Sequence, residues 1–474
     1  MVSFLICLAL LVVSYFTYGR YLEKMVGATA GVPTPSQTCY DGVDYIPMPK
    51  WKTFLIQLLN IAGLGPIFGA VLGAMYGPVA FIWITVGGIF FGAMHDFLSG
   101  WISLENNGSS LPEIIGKYLG LSVKQVMRVF SVALMVLVGA VFLLGPAGLL
   151  GSMTPGISKN AWIAIILIYY ILATLLPVDK IIGRIYPIFG AALLFMALGL
   201  LWVLLTQGYE IPDLTTLANF RNDAADFPII PSLFITIACG AISGFHATQS
   251  PLMARCVTSQ KQCRGVFFGA MISESIIALI WAAIAMAFFG GVEALNQQLA
   301  AHGNDASWAV KLIADTTLGK LGGILAVLGV IAAPITSGDT AFRSARLIVA
   351  DFMHIEQKSL LKRLYISIPL FVIGFGITLV NFDVVWRYFA WFNQTLAVFT
   401  LWAVTVYLIK KGKNYWVSLI PAVVMTFVCS TYLLVGKEMF HLDRTISFTV
   451  GSIITLLIVF IFIYWKRRND KAAA

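Results

Sequence analysis

Residues 60–78 read NIAGLGPIFGAVLGAMYGP and sit inside an apolar run, residues 54–76, long enough to cross a bilayer. A helix in lipid must satisfy its own backbone hydrogen bonds. Proline removes a donor, and glycine is the poorest helix former after it. Gly63, Gly65 and Pro66 therefore predict a break near the middle of the span. A companion lies at residues 237–251, IACGAISGFHATQSP, where Gly240, Gly244 and Pro251 interrupt a run that also carries Ser243, His246, Thr248 and Gln249. Unwound backbone at membrane depth is tolerated where it lines a polar cavity inside the protein. There freed N–H groups can hold an anion and freed carbonyls a cation. Close helix packing through small residues, the competing explanation, suits Gly69, Gly73 and Gly77 of GAVLGAMYG better.

The rest of the chain supplies the frame for these breaks. Of 474 residues, 59% are hydrophobic and 11% charged, against about 25% charged in an ordinary soluble domain. The mean hydropathy is +0.88. An all-α polytopic membrane protein follows, as one domain over residues 1–474. Apolar runs predict about thirteen helices, at 3–19, 54–76, 79–101, 126–151, 161–177, 186–206, 231–250, 265–290, 321–337, 364–380, 386–409, 415–435 and 446–465. The first lacks the basic start and small-residue cleavage site of a signal peptide and reads as a retained span. LPEIIGKYLG, residues 111–120, predicts a short interfacial helix.

Lysine and arginine favour cytoplasmic loops. With the tail KRRNDK inside and the N-terminus outside, alternation through thirteen spans places 24 of the 31 basic residues inside. The net charge of +9 is thereby explained by topology, and nucleic acid is not expected as a partner; the bilayer is. Six scattered cysteines show no metal-ligand spacing and read as unpaired thiols. No pattern sets an oligomeric state.

The two broken spans are five helices apart and run in opposite directions. That arrangement predicts two inverted five-helix repeats, residues 54–206 and 231–409, with an extra helix at 3–19 and two peripheral ones within 415–465. A third polar stretch, APITSGDTAFRSARL at residues 333–347, closes the ninth span. Its Thr336, Ser337 and Asp339 are hard-cation oxygen donors, although Gly338 as a helix end and an Asp339–Arg343 pair explain it equally.

Ionisable residues within spans are functional candidates by default. Glu274 lies midway along the eighth span and is a candidate for proton exchange. His246 follows the second break and can titrate or bind a carboxylate substrate. His95 and Asp96, near the inner end of the third span, are candidates for a gate. Asn60, Asn393 and Gln394 suit hydrogen bonds between helices.

Over roughly residues 15–400 the chain resembles the carbon starvation (CstA) family of bacterial inner-membrane transporters. The matching stretches are DGVDYIPMPKW (41–51), NIAGLGPIFGA (60–70), MYGPVAFIW (75–83), HDFLSG (95–100), CGAISGFHATQSPLMAR (239–255) and PITSGDTAFRSARLIVADF (334–352). The resemblance implies secondary active uptake of a small carbon nutrient during carbon starvation. It points first to pyruvate by ion-coupled symport and alternatively to di- or oligopeptides. It also implies the amino acid–polyamine–organocation (LeuT-like) fold with two discontinuous helices. On this reading Asn60, Gly63, Gly65, Ser243, His246 and Gln249 bind substrate, and Gly63 with Thr336 and Ser337 forms a sodium site. H+ coupling is the other option; no cofactor and no other metal is expected. An intramembrane enzyme is disfavoured, because Ser243 and His246 across a broken turn do not define a nucleophile–base pair and no HExxH occurs. A channel or sensor is disfavoured by the lack of a filter sequence or soluble output domain.

Overall fold

The computed structural model describes the chain except residues 43, 155, 176–177, 358, 381 and 474, and side chains except also those of 152, 174–186, 320–329, 382–383 and 471–473. Lys180, Arg184, Lys320, Lys358 and Lys471, all counted in the charge alternation, have side chains outside the described ones. The described residues are mostly helical, with non-helical stretches at 27–34 and 207–228, and their only extended pairing is an isolated bridge between Met48 and Val257. Nine of the described helices are long and apolar enough to cross a membrane, or ten if the bent pair Lys50–Ile61 and Gly65–Ala74 is one span. The thirteen expected spans exceed that count. Lys159–Ala173 is apolar but short, and the second broken helix is divided into pieces too short to qualify.

The first break is where the sequence places it. Helix Lys50–Ile61 ends at Ala62, and the chain bends by 59° before Gly65–Ala74. The Gly63 N–H turns back to the Ile61 carbonyl at 2.9 Å instead of continuing the helical ladder. Pro66 falls in the first turn of the wide-turned stretch Gly65–Gly69, where its missing N–H costs nothing. In the second broken helix, a helical start over 229–236 stops at Ile237, Ser243 is extended, and Gly244–Ala254 resumes the helix. Pro251 does not interrupt that resumed helix but is accommodated inside it.

The two broken helices run antiparallel. Phe68, Leu72 and Met75, from the second half of one, share a cavity with Ser232, Ile235 and Thr236, from the first half of the other. Loops gather at two faces. On the long-loop face Asn296 donates to the carbonyls of Met75 (2.9 Å) and Phe220 (3.2 Å), and Tyr388 to that of Glu438 (2.9 Å). On the opposite face Tyr45 donates to the Asn107 carbonyl, Arg255 to that of Gly108 and Thr34 to that of Val257. The amphipathic segment forms helix Leu111–Leu119 on this second face.

The ninth span differs from expectation. It does not end near residue 337 but continues as one helix, Gly319–Met353. Thr336 donates to the Ala332 and Ala333 carbonyls, and Ser337 to that of Ala333, at 2.8–2.9 Å. Hydroxyls that bond back to the preceding turn are satisfied within a helix, so a polar run need not mark its end. In the aromatic run WRYFAWF, residues 386–392, Trp386 and Phe389 are buried.

Candidate functional site

Four ionisable side chains that the sequence offers separately meet in one buried row. His95 and Asp96 come from helix Val79–Glu105, His246 from the resumed half of the second broken helix, and Glu274 from Gln260–Phe288. The Asp96 carboxylate accepts from His95 Nδ1 through one oxygen and from His246 Nδ1 through the other, both at 2.8 Å. His246 Nε2 then lies 3.4 Å from Glu274 Oε2. All four side chains are fully buried. A carboxylate holding Nδ1–H fixes the imidazole tautomer and turns the Nε2 lone pair outward, here towards Glu274. The expected gate pair, His95 and Asp96, is therefore continuous with the expected substrate and coupling residues.

The second break is anchored by a residue that the sequence suggests only as a link between helices. Asn393 Oδ1 accepts from Ser243 Oγ at 3.0 Å and from the Phe245 N–H at 2.7 Å. Those bonds cap the N-terminus of the resumed helix, as a capping side chain would. Asn393→Ala is expected to leave two buried donors unmet, at about 1–3 kcal/mol each. The expected readout is a lowered midpoint of thermal unfolding in detergent. A wild-type midpoint in the alanine variant would contradict the capping role.

The remaining expected residues lie nearby without joining the row. Ser337 donates to the Leu59 carbonyl at 2.8 Å. That carbonyl belongs to the last turn of Lys50–Ile61, so the first broken helix and the long helix touch through Leu59 rather than Gly63. Thr336 lies beside it on the long helix, and Asp339 is buried one turn on. Gln249 turns away from the break to Thr248 (2.9 Å) and Ser344 (3.4 Å). Both polar side-chain atoms of Asn60 are buried without a hydrogen-bond partner, as are those of Gln57, so Asn60 does not supply the expected interhelical bond. Gly65 packs directly on Cys239, whose Cβ and Sγ occupy the space that a side chain would need. The two breaks thus touch.

A cavity of about 950 Å³ opens between the broken helices on the long-loop face. Its base holds Phe68, Ser232, Thr236, Trp386 and Ala390, and its rim carries Lys159, Arg221, Asp223, Asp305, Arg387 and Glu438. Ion pairs Arg221–Asp223 (2.7 Å) and Arg387–Glu438 (2.5 Å) hold the rim. None of Asn60, Gly63, Gly65, Ser243, His246 or Gln249 lines this space, because each lies beyond its base and is buried. The cavity residues escaped the sequence reading because most come from loops and helix ends with no motif; the polar Ser232 and Thr236 just before the second break were the available signal.

Comparison with known proteins fits this architecture. The chain matches the family described as carbon starvation protein CstA over residues 1–155, 147–322 and 315–432. It is 43% identical to an uncharacterized membrane protein of Haemophilus influenzae, over 64% of this chain and 95% of that one. It is 23% identical to the peptide transporter CstA of Helicobacter pylori, over 94% of this chain and 83% of that one. A manganese transporter of Eremococcus coleocola superposes with a TM-score of 0.54 at 12% identity, covering 92% of this chain and 99% of that one, which shows a shared fold. With family matches along nearly its whole length and two broken helices meeting under a cavity, the chain belongs to the carbon starvation protein CstA family.

Proposed function

We propose that this protein is a secondary transporter that imports short peptides across the bacterial inner membrane in response to carbon starvation. The observation that carries the reading is the cavity of about 950 Å³ between the broken helices. That volume is at the upper end of small-molecule sites and well beyond what a monocarboxylate fills. Its rim carries the ion pairs Arg221–Asp223 and Arg387–Glu438, which a peptide's carboxylate and ammonium group would join by exchanging partners. Relatives named peptide transporters support the same choice. Pyruvate, the first expectation, draws less support: the N–H groups around Gly63–Gly65 and Gly240–Gly244 are buried away from the cavity.

The antiparallel broken helices support the inverted five-plus-five repeat of residues 54–206 and 231–409, with the long-loop face outside, the N-terminus outside and the C-terminus in the cytoplasm. Transport then alternates between opening towards the long-loop face and opening towards the opposite one. An ion that binds one state better than the other couples its gradient to the cargo. We place a sodium ion at the contact of Ser337 with the Leu59 carbonyl, with Thr336 adjoining. The bend releases Leu59 O from the helical ladder, which makes it an available ligand.

The test is uptake into proteoliposomes. A dialanine gradient driven by inward sodium is the expected result, with pyruvate not accumulated. Pyruvate accumulation without peptide uptake would overturn the substrate reading. Uptake driven by a pH gradient alone would overturn the sodium assignment and shift coupling to the Asp96 row. Removing one oxygen donor in Ser337→Ala is expected to weaken the apparent sodium affinity about tenfold; unchanged sodium dependence would contradict the site.

A further inference from the structure

Cys239 Sγ, a ring nitrogen of His246 and a Glu274 carboxylate oxygen all lie within 4.8 Å of one another, all three residues buried, and it is Nε2 that faces Glu274. From this geometry we infer that the second break carries a binding site for a borderline transition-metal ion, Zn2+ foremost. The site is independent of the peptide reading, which would stand if no metal bound.

Three observations converge. First, the spacing fits: two donors about 2.0–2.1 Å from a tetrahedral zinc lie about 3.3–3.4 Å apart, and Nε2 and Oε2 are separated by 3.4 Å. Second, His246 Nε2 and both Glu274 oxygens are buried without a hydrogen-bond partner. Native proteins rarely leave such atoms unmet, and a cation held by Nε2 and one Glu274 oxygen gives each of the two side chains a partner. Third, the supporting contacts are those of a metal site. Asp96 holds His246 through Nδ1 at 2.8 Å, the carboxylate–histidine–metal arrangement. On the sulfur side, Asn393 Nδ2 lies 3.6 Å and Ser243 Oγ 3.8 Å from Cys239 Sγ, which orients the thiol.

The donor set selects the ion. Thiolate, imidazole and carboxylate together suit zinc and its cobalt substitute, whereas magnesium, calcium and manganese favour oxygen. Three protein ligands leave a fourth position open, so the ion can exchange. The consequence is mechanical: Cys239 lies within the second break, His246 in the helix that resumes after it, and Glu274 belongs to a different helix. A bound ion pins all three together and holds the break in its present geometry, so zinc is expected to arrest transport reversibly.

The test uses the purified full chain in detergent, stripped with chelator and titrated with zinc by calorimetry and with cobalt by absorbance. Expected are one zinc per chain and a near-ultraviolet thiolate-to-cobalt band. Cys239→Ser should lose that band, and Glu274→Gln should bind zinc at least about tenfold more weakly. Cys256→Ser and Cys429→Ser should match wild type. Elution as a single symmetric species controls for folding. Absence of saturable zinc binding, or equal affinity and an intact band in correctly eluting Cys239→Ser and Glu274→Gln, would overturn the site.

Discussion

Gly244→Ala is expected to be among the most damaging single methyl additions in this protein. A Cβ at Gly244 would fall on the main-chain nitrogen of Ala397 and the main-chain oxygen of Asn393, and 2.6 Å from the Leu396 Cβ. A flexible side chain could yield; backbone inside a helix cannot. The resumed half of the second broken helix would have to move off helix Phe382–Lys410, taking with it the Asn393 cap on Ser243 and Phe245. Overpacking typically costs about 1–3 kcal/mol, and the upper end is expected because the obstacle is rigid. Uptake should fall on the order of a hundredfold, since displacement of the break also displaces the groups beneath the cavity. Gly376→Ala is the control, an exposed helical glycine whose added Cβ meets nothing within 4 Å. It should be neutral or slightly stabilising. Near-wild-type uptake and thermal midpoint in Gly244→Ala would show that these helices are not in the described contact.

Asp96→Ala should destabilise the protein by about 3–5 kcal/mol, the range for removing one partner of a buried charged network. Each Asp96 oxygen serves a different imidazole, and both histidines are fully buried. Asp96→Asn should be milder, about 1–3 kcal/mol. The amide keeps one acceptor for one histidine and presents a donor to the other, which can answer by moving its proton to Nε2. The ordering wild type, then asparagine, then alanine is the specific expectation, read from unfolding midpoints in detergent and from surviving uptake. An alanine variant as stable as wild type would mean that the row is not closed through Asp96.

How much of this was legible in the sequence depends on whether the cause was local. Glycine and proline act on their own turn, so GLGP and CGAISG announced both breaks. The amphipathic helix Leu111–Leu119 was readable for the same reason. The long helix through TSGDT was misread because Thr336 and Ser337 satisfy themselves on carbonyls one turn back, which composition does not distinguish from a helix end. Pro251, expected to interrupt, sits inside a helix whose neighbours tolerate it. The row of His95, Asp96, His246 and Glu274 joins three helices. Each member stood out alone as an ionisable residue in an apolar span, but spacing carries no information about contacts between helices 150 residues apart. Cys239 had no partner at any recognisable spacing for the same reason. The cavity was hidden because loops supply its rim.

The central claim is that the cavity over the touching breaks is the route of a peptide entering from the long-loop side. Its most direct test is thiol accessibility at the base, with Thr236→Cys in a background lacking Cys7 and Cys39, in intact cells treated with a membrane-impermeant maleimide. Labelling from outside that dialanine slows and pyruvate does not is the predicted result. Labelling only from the cytoplasmic side, or labelling that dialanine leaves unchanged, would contradict it.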